Sequence, residues 1–195
     1  MSNATRRNPR DDGGQESQRA GGCVDETLPA AGELADRLRG QPLPVLPLTS
    51  QAGSRIVLQA RLHAQVVYFF PGCPRSPEDG YDSPRCDVIQ HRAFAACATE
   101  LAALGCRAVG ISSQGVELLR EANVKHLLLS DPELQLARLL ELPTFRADGI
   151  DWYRRQVLLL VEGHIAHAFR PSSARASATD AIGWLCAHRQ ETCEV

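Results

Sequence analysis

Short apolar stretches recur along the chain, and each has the length and spacing of a strand or a helix. The strongest covers residues 66–70, a run of β-prone apolar side chains followed by Pro71 and Gly72. A continuous run of this length is typical of a strand that is covered on both faces. Residues 107–111 and 126–129 are predicted to form two further strands.

The segments between these strands follow the period of a helix. From residue 86 onwards, apolar side chains recur every three or four positions, at Phe94, Cys97, Leu101 and Leu104. This spacing predicts one helix from about Cys86 to Leu104, ended by Gly105. Further helices are predicted at residues 27–38, 115–122 and 178–187. Asp131 is predicted to cap another helix, which runs through Leu140.

Two hairpins complete the pattern. One lies within residues 45–58, with a turn at 51–54, and the other joins residues 157–161 to 165–169 through Glu162 and Gly163. Strands that alternate with helices, followed by a hairpin and a last helix, predict an α/β sandwich with a mixed central sheet flanked by helices. A flavodoxin-like strand order fits this pattern almost as well.

The first part of the chain has a different composition. Residues 1–25 are rich in Arg, Asp, Gly and Gln and contain almost no apolar side chains. Such a segment buries too little surface to offset the entropy of ordering, so we expect a disordered tail. The chain of 195 residues is 44% hydrophobic, which is enough for one domain, expected at residues 26–195.

Charge and hydropathy exclude several classes of partner. The formal net charge is -2 and aromatic residues make up 5% of the chain, which disfavours a nucleic-acid-binding surface. No apolar run is long enough to cross a bilayer, and the first residues lack the apolar core of a secretory signal. We therefore expect a cytoplasmic protein without nucleic-acid or membrane partners.

Cysteine is the most reactive residue type in this sequence. Seven cysteines are present, at positions that share no regular spacing: Cys23, Cys73, Cys86, Cys97, Cys106, Cys186 and Cys193. An odd number is unlike a secreted disulfide framework, and no pair has the C-x-x-C spacing of a redox or zinc motif. We expect no metal site and no cofactor.

Several blocks of sequence, in order, resemble the peroxiredoxins, the alkyl hydroperoxide reductase and thiol-specific antioxidant group. The resemblance spans roughly residues 43–190, and its blocks lie at residues 66–71, 83–86, 100–105, 108–114, 129–137, 142–145 and 155–163. It implies a thioredoxin-like sandwich. It also implies a thiol peroxidase that reduces hydrogen peroxide or organic hydroperoxides.

The resemblance also implies an active site. The family motif Pro-x-x-x-Thr-x-x-Cys places the reactive cysteine at Cys86 and the threonine at Ser83, which keeps the hydroxyl. The proline position holds Asp79, which departs from the motif. The family's activating arginine matches Arg155, with Arg154 as the alternative shifted by one residue.

The chemistry of peroxide reduction explains why these residue types belong together. Only the thiolate attacks a peroxide oxygen, and a free cysteine has a pKa of about 8.5. A helix N-terminus at Cys86, the Arg155 guanidinium and the Ser83 hydroxyl would each favour the anion. The product is a sulfenic acid. A second thiol condenses with it to form a disulfide, which a thioredoxin-like or other dithiol reductant then reduces.

The second, resolving thiol has three candidates. One peroxiredoxin subgroup carries it five residues after the reactive cysteine, where this chain has His91. Cys97 lies roughly 16 Å along the predicted helix from Cys86, so a disulfide between them would require unwinding. Cys73 lies in the preceding loop, and Cys193 would act between the subunits of a homodimer.

Less reactive interpretations exist for each of these residues. His91 is expected on a helix surface, with tuning of Cys86 as the alternative, and Arg154 and Arg155 would be solvated charges at a strand edge. Cys97, Cys106 and Cys186 are expected to pack in the core. The departures at positions 79, 83 and 91 also leave open a catalytically degenerate relative that serves as a binding, redox-sensing or accessory protein.

Overall fold

The computed structural model describes residues 31–58, 64–72, 86–147 and 149–188. The predicted tail at residues 1–25 and the start of the first predicted helix lie outside these residues. So do four positions singled out in the sequence: Cys73, Asp79, Ser83 and Cys193.

Six helices and nine strands form the described part of the chain, in nearly the predicted order. The helices are α1 (Ala31–Leu38), α2 (Cys86–Ala96), α3 (Ala98–Ala103), α4 (Val116–Glu121), α5 (Gln135–Leu140) and α6 (Ser177–Ala187). The strands are β1 (Pro47–Ser50), β2 (Arg55–Val57), β3 (Ala64–Phe69), β4 (Cys106–Ser112), β5 (Leu127–Ser130), β6 (Thr144–Ala147), β7 (Ile150–Tyr153), β8 (Gln156–Val161) and β9 (His164–Phe169).

Seven strands form one mixed sheet in the order β2-β1-β5-β4-β3-β8-β9. The central strands β3, β4 and β5 run parallel, whereas β8, β9, β1 and β2 join by antiparallel pairing. This confirms the predicted mixed α/β sandwich. Parallel neighbours require helical crossovers, which explains why α2, α3 and α4 alternate with these strands.

The central strand β3 is buried along its whole length, as its continuous apolar run predicts. Its side chains alternate between two hydrophobic cores. Val67 and Phe69 belong to the core that contains α1 and α5. Val66 and Tyr68 belong to the core that contains α2, α4 and α6. The sheet is therefore covered on both faces, which is why β3 carries no polar alternation.

A glycine in the neighbouring strand makes room for the Tyr68 ring. Gly110 of β4 lies opposite Tyr68 in the parallel register. A Cβ at this position would lie 2.6 Å from Tyr68 Cζ and 2.6 Å from Leu128 Cδ2. Such contacts are far closer than van der Waals packing permits, so only glycine fits without displacing the tyrosine.

The structure corrects one predicted element and adds one that was not predicted. The single helix expected from Cys86 to Leu104 is broken at Cys97, whose backbone has φ -89° and ψ 5°, outside the helical region. The period of apolar side chains survives this break because α3 continues at the same spacing. The hairpin of β6 and β7 was not predicted, although the pair Asp148-Gly149 between the two strands is a strong hairpin signal.

The predicted turn between β8 and β9 is confirmed by its backbone. Glu162 has φ 48° and Gly163 has φ 80°. Two successive residues with positive φ are the mark of a type I′ turn, whose twist matches the strands on either side.

Asp131 stabilises the start of α5, as predicted, and does so from a fully buried position. Its carboxylate oxygens accept hydrogen bonds from the backbone N–H of Gln135 at 2.9 Å and of Leu136 at 2.9 Å. The Tyr153 hydroxyl donates a third bond at 2.6 Å. Burial and the neighbouring carboxyl raise the pKa of Tyr153 far above its usual range, so this hydroxyl stays protonated and donates.

Replacing Asp131 with alanine is expected to lower the free energy of unfolding by about 3 kcal/mol, because two backbone N–H groups and a buried hydroxyl lose their acceptor. Asp151→Ala is the matched control, since Asp151 forms only an exposed ion pair with Arg146. It should cost less than about 1 kcal/mol. Urea denaturation of both variants measures the difference, and equal losses would contradict the assignment.

Candidate functional site

The site implied by the resemblance centres on the first turn of α2. Cys86 is the first residue of this helix, which extends over 11 residues. The first N–H groups of a helix have no acceptor within it, and the helix dipole adds a partial positive charge there. A thiolate at this position would be stabilised by both effects.

Gln90 connects this helix to the centre of the sheet. It lies four residues after Cys86, so the two positions share one face of α2 and are separated by roughly 6 Å along the axis. The Gln90 side chain is fully buried. Its Oε1 accepts a hydrogen bond of 3.2 Å from Nε of Arg155.

The sheet topology explains how Arg155 reaches α2. Arg155 lies in the short link between β7 and β8, directly before Gln156. Gln156 pairs with Phe69 near the end of β3, the strand from which the chain continues towards α2. Antiparallel pairing of β3 with β8 therefore brings the arginine to the same edge of the sheet as the start of α2.

Both arginines of this link are buried, which rules out the alternative that they are solvated charges at a strand edge. Arg154 is 3% exposed and Arg155 is 4% exposed. They face different parts of the fold. Arg154 donates from Nε to the Thr144 carbonyl at 3.1 Å and lies 5.7 Å from the centre of the Phe145 ring, whereas Arg155 contacts α2. Among the contacts between described residues, the bond to α2 comes from Arg155.

Two buried amide groups lie close to this edge of the sheet. Nε2 of Gln90 has no hydrogen-bond partner within the part of the chain that the structure describes, and the same holds for both amide atoms of Gln156. A buried donor without an acceptor costs about 1–3 kcal/mol.

Three further cysteines are described, and they have different surroundings. Cys106 is buried, its thiol donates to the Leu104 carbonyl at 3.6 Å, and burial raises its pKa to about 11. Cys97 packs partly buried against the core, and burial together with Glu100 raises its pKa. Cys186 is exposed, which corrects the expectation that it packs in the core.

His91 is buried to 3% exposure, which corrects the expectation of a surface position. Its Nδ1 lies 2.8 Å from the Tyr68 hydroxyl, and Nε2 of His126 lies 2.6 Å from the same hydroxyl. Tyr68 thus connects a histidine of α2 to the histidine directly before β5. The sequence offered no signal for this cluster, because His91 and His126 are 23 and 58 positions from Tyr68.

The environment keeps both histidines neutral at pH 7. Burial, and to a smaller extent the neighbouring His126, lower the pKa of His91 to about 4. Burial also lowers the pKa of His126 below its usual value of 6.5. A neutral imidazole has one donor and one acceptor nitrogen, so the cluster can hold and pass a proton.

The described residues contain neither a metal-ligating cluster nor a membrane-spanning helix. They contain no group of three or more His, Cys, Asp or Glu side chains arranged to hold a metal ion. None of their helices has the length and hydropathy needed to span a membrane.

Comparison with known proteins rests on structure alone. No protein-family model and no curated sequence matches the chain. Among solved structures, peroxidoxin BcpB from Mycobacterium tuberculosis is 20% identical with a TM-score of 0.63, over 76% of this chain and 96% of that one. Peroxiredoxin Q from Xanthomonas campestris is 24% identical with a TM-score of 0.62, over 76% and 97% of the two chains.

A third structure of similar fold is AhpC from Enterococcus faecalis. It is 16% identical with a TM-score of 0.61, over 78% of this chain and 93% of that one. At 16–24% identity, what these proteins share with this chain is the arrangement of strands and helices. The chain has the thioredoxin-like fold of the peroxiredoxins.

Proposed function

We propose that the protein is a thiol-dependent peroxidase in which Cys86 reduces hydrogen peroxide or an organic hydroperoxide. The observation that carries this proposal is the buried Arg155, bonded to Gln90 one helical turn after Cys86. The proposal is also supported by the fold. The Xanthomonas campestris bacterioferritin comigratory protein, which has a similar fold, reduces alkyl peroxides.

In the proposed reaction the Cys86 thiolate attacks one peroxide oxygen. A sulfur–oxygen bond forms as the oxygen–oxygen bond breaks, and the leaving oxygen takes up a proton to give water or an alcohol. Cys86 is thereby oxidised to a sulfenic acid. Condensation with a second thiol releases water and forms a disulfide, which a thioredoxin-like or other dithiol reductant reduces. No step needs a metal or an organic cofactor.

Arg155 would act on both the thiolate and the leaving oxygen. A buried guanidinium requires acceptors for its N–H groups, and an anionic sulfur at position 86 would be one of them. The same charge would stabilise the negative charge that develops on the leaving oxygen. Gln90 is a positioning residue in this scheme, because its Oε1 holds Nε of Arg155. Ser83 would donate a further hydrogen bond from its hydroxyl.

The environments of the described thiols narrow the choice of resolving cysteine. The pKa of Cys97 is raised, and a thiol that stays protonated attacks a sulfenic acid slowly. Cys97 would also have to leave its position between α2 and α3. Cys73 and Cys193 therefore rank ahead of it, and Cys193 would act across a homodimer.

A second candidate function is a binding, redox-sensing or accessory role without peroxidase turnover. The observation that favours it is His91, which occupies the position of a resolving thiol in one subgroup and belongs to a buried cluster with Tyr68 and His126. Stoichiometry separates the two functions. A peroxidase consumes excess peroxide when a reductant is supplied, whereas a sensor oxidises once.

Cys86→Ser is expected to abolish peroxide consumption, because a hydroxyl forms no sulfenic acid. The reduced protein is treated with one equivalent of hydrogen peroxide and a sulfenic-acid trap, and the label is located by peptide mass spectrometry. The wild type should carry the label, or a new disulfide, at Cys86. Cys186→Ser is the matched control and should keep full turnover. Full activity in Cys86→Ser would refute the assignment.

Arg155→Lys is expected to reduce the second-order rate constant for peroxide by about a hundredfold, because lysine keeps the charge but loses the planar set of donors. Gln90→Leu should reduce it by about tenfold through Arg155 and should also raise the pKa of the reactive thiol in the pH–rate profile. Arg154→Lys controls for loss of a buried guanidinium at the adjacent position. Equal losses at positions 154 and 155 would indicate a structural role only.

A further inference from the structure

A pocket of about 600 Å³ opens between α2, the start of α3 and the segment from α4 to β5. It belongs to the face of α2 that carries Val88, Arg92 and Ala95, whereas Cys86 and Gln90 lie on a different face of that helix. The pocket is thus separate from the edge of the sheet where Arg155 meets Gln90. Nothing in the proposed peroxidase reaction uses it.

The charged groups that line the pocket all have one sign. Arg92 enters from α2 and Lys125 from the loop before β5, and no acidic residue is among the lining residues that the structure describes. Both cations are exposed at the surface, while the imidazoles of His91 and His126 lie deeper. The remaining side chains are mostly small and apolar, and include Ala98 and Val124. The pocket therefore combines an apolar wall with cationic and imidazole groups.

The Tyr68 hydroxyl constrains what the two imidazoles can offer a ligand. It has a single proton and lies within hydrogen-bond distance of Nδ1 of His91 and Nε2 of His126, so at least one imidazole must donate to it. When the hydroxyl donates to one ring and accepts from the other, the two remaining ring nitrogens are one donor and one acceptor. Protonation of His126 makes its remaining nitrogen a donor in every arrangement.

We propose that this pocket binds a small organic anion, a carboxylate with a short apolar body, whose carboxylate contacts Arg92, Lys125 and His126. The two cations and the imidazole N–H groups supply the donors that a carboxylate accepts from. The apolar wall can pack against the organic body of such a ligand, whereas inorganic phosphate has no apolar part to pack there. A metal cation is disfavoured by the same two positive side chains.

The structure also predicts how affinity changes with pH. Burial lowers the pKa of His91 to about 4 and lowers the pKa of His126 below its usual value of 6.5, so both imidazoles are neutral at pH 7. The charged and titratable groups around His126 are His91 and Arg92 on α2, Lys125 beside it and Tyr68 on β3. Protonation of His126 adds a positive charge and a donor, so affinity for the carboxylate should rise as the pH falls and His126 takes up a proton.

The test uses the full-length reduced protein and hexanoate, with hexanamide and inorganic phosphate as comparison ligands. Binding is followed by the ring C–H signals of His91 and His126 in NMR titrations, which report the pocket independently of peroxidase activity. Hexanoate is expected to shift the His126 signal saturably. Hexanamide lacks the charge and phosphate lacks the apolar body, so both should bind at least several-fold more weakly.

Two exposed substitutions keep the test independent of folding. The double variant Arg92→Gln/Lys125→Gln should weaken hexanoate binding roughly tenfold. Arg146→Gln removes a positive charge from the separate β6–β7 hairpin and should leave binding unchanged. His126→Gln should abolish the pH dependence.

Three results would overturn the proposal. They are the absence of a saturable shift at His126, equal binding of hexanamide or phosphate, and equal weakening in the Arg146 variant. Because the NMR readout does not involve Cys86, the titration can refute the ligand-binding proposal without refuting the peroxidase proposal.

Discussion

The complete burial of strand β3 is the constraint on which the rest of the structure depends. Its side chains alternate between two hydrophobic cores, so helices must cover both faces of the sheet. Parallel pairing with β4 requires a helical crossover, and that crossover contains α2, the helix that Cys86 begins. Antiparallel pairing with β8 brings Arg155 to the end of the same strand. One strand thus positions both parts of the proposed active site.

Burial also constrains the polar groups of this fold. A buried polar group is costly unless it is hydrogen-bonded, so each must find a partner. Asp131 does so by accepting from two backbone N–H groups and the Tyr153 hydroxyl, and its role is structural. Arg155 donates to the side chain of Gln90, on the helix that Cys86 begins.

Much of the fold could be predicted from the sequence, because strand and helix periods and turn residues are local signals. The continuous apolar run of β3, the Asp131 cap and the Glu162-Gly163 turn all matched the structure. The break at Cys97 could not be seen, since it leaves the spacing of apolar side chains intact. Buried His91 and its cluster were missed because burial of a polar side chain depends on partners far away in the sequence.

The reactivity of Cys86 is the central claim, and the pKa of its thiol tests it most directly. The rate of iodoacetamide alkylation at Cys86, followed by peptide mass spectrometry between pH 5 and pH 10, gives this pKa in the folded protein. The account predicts a value below the reference of about 8.5, with return towards that reference after urea unfolding. A folded-state pKa at or above the reference would contradict the claim that helix α2 and Arg155 activate this thiol.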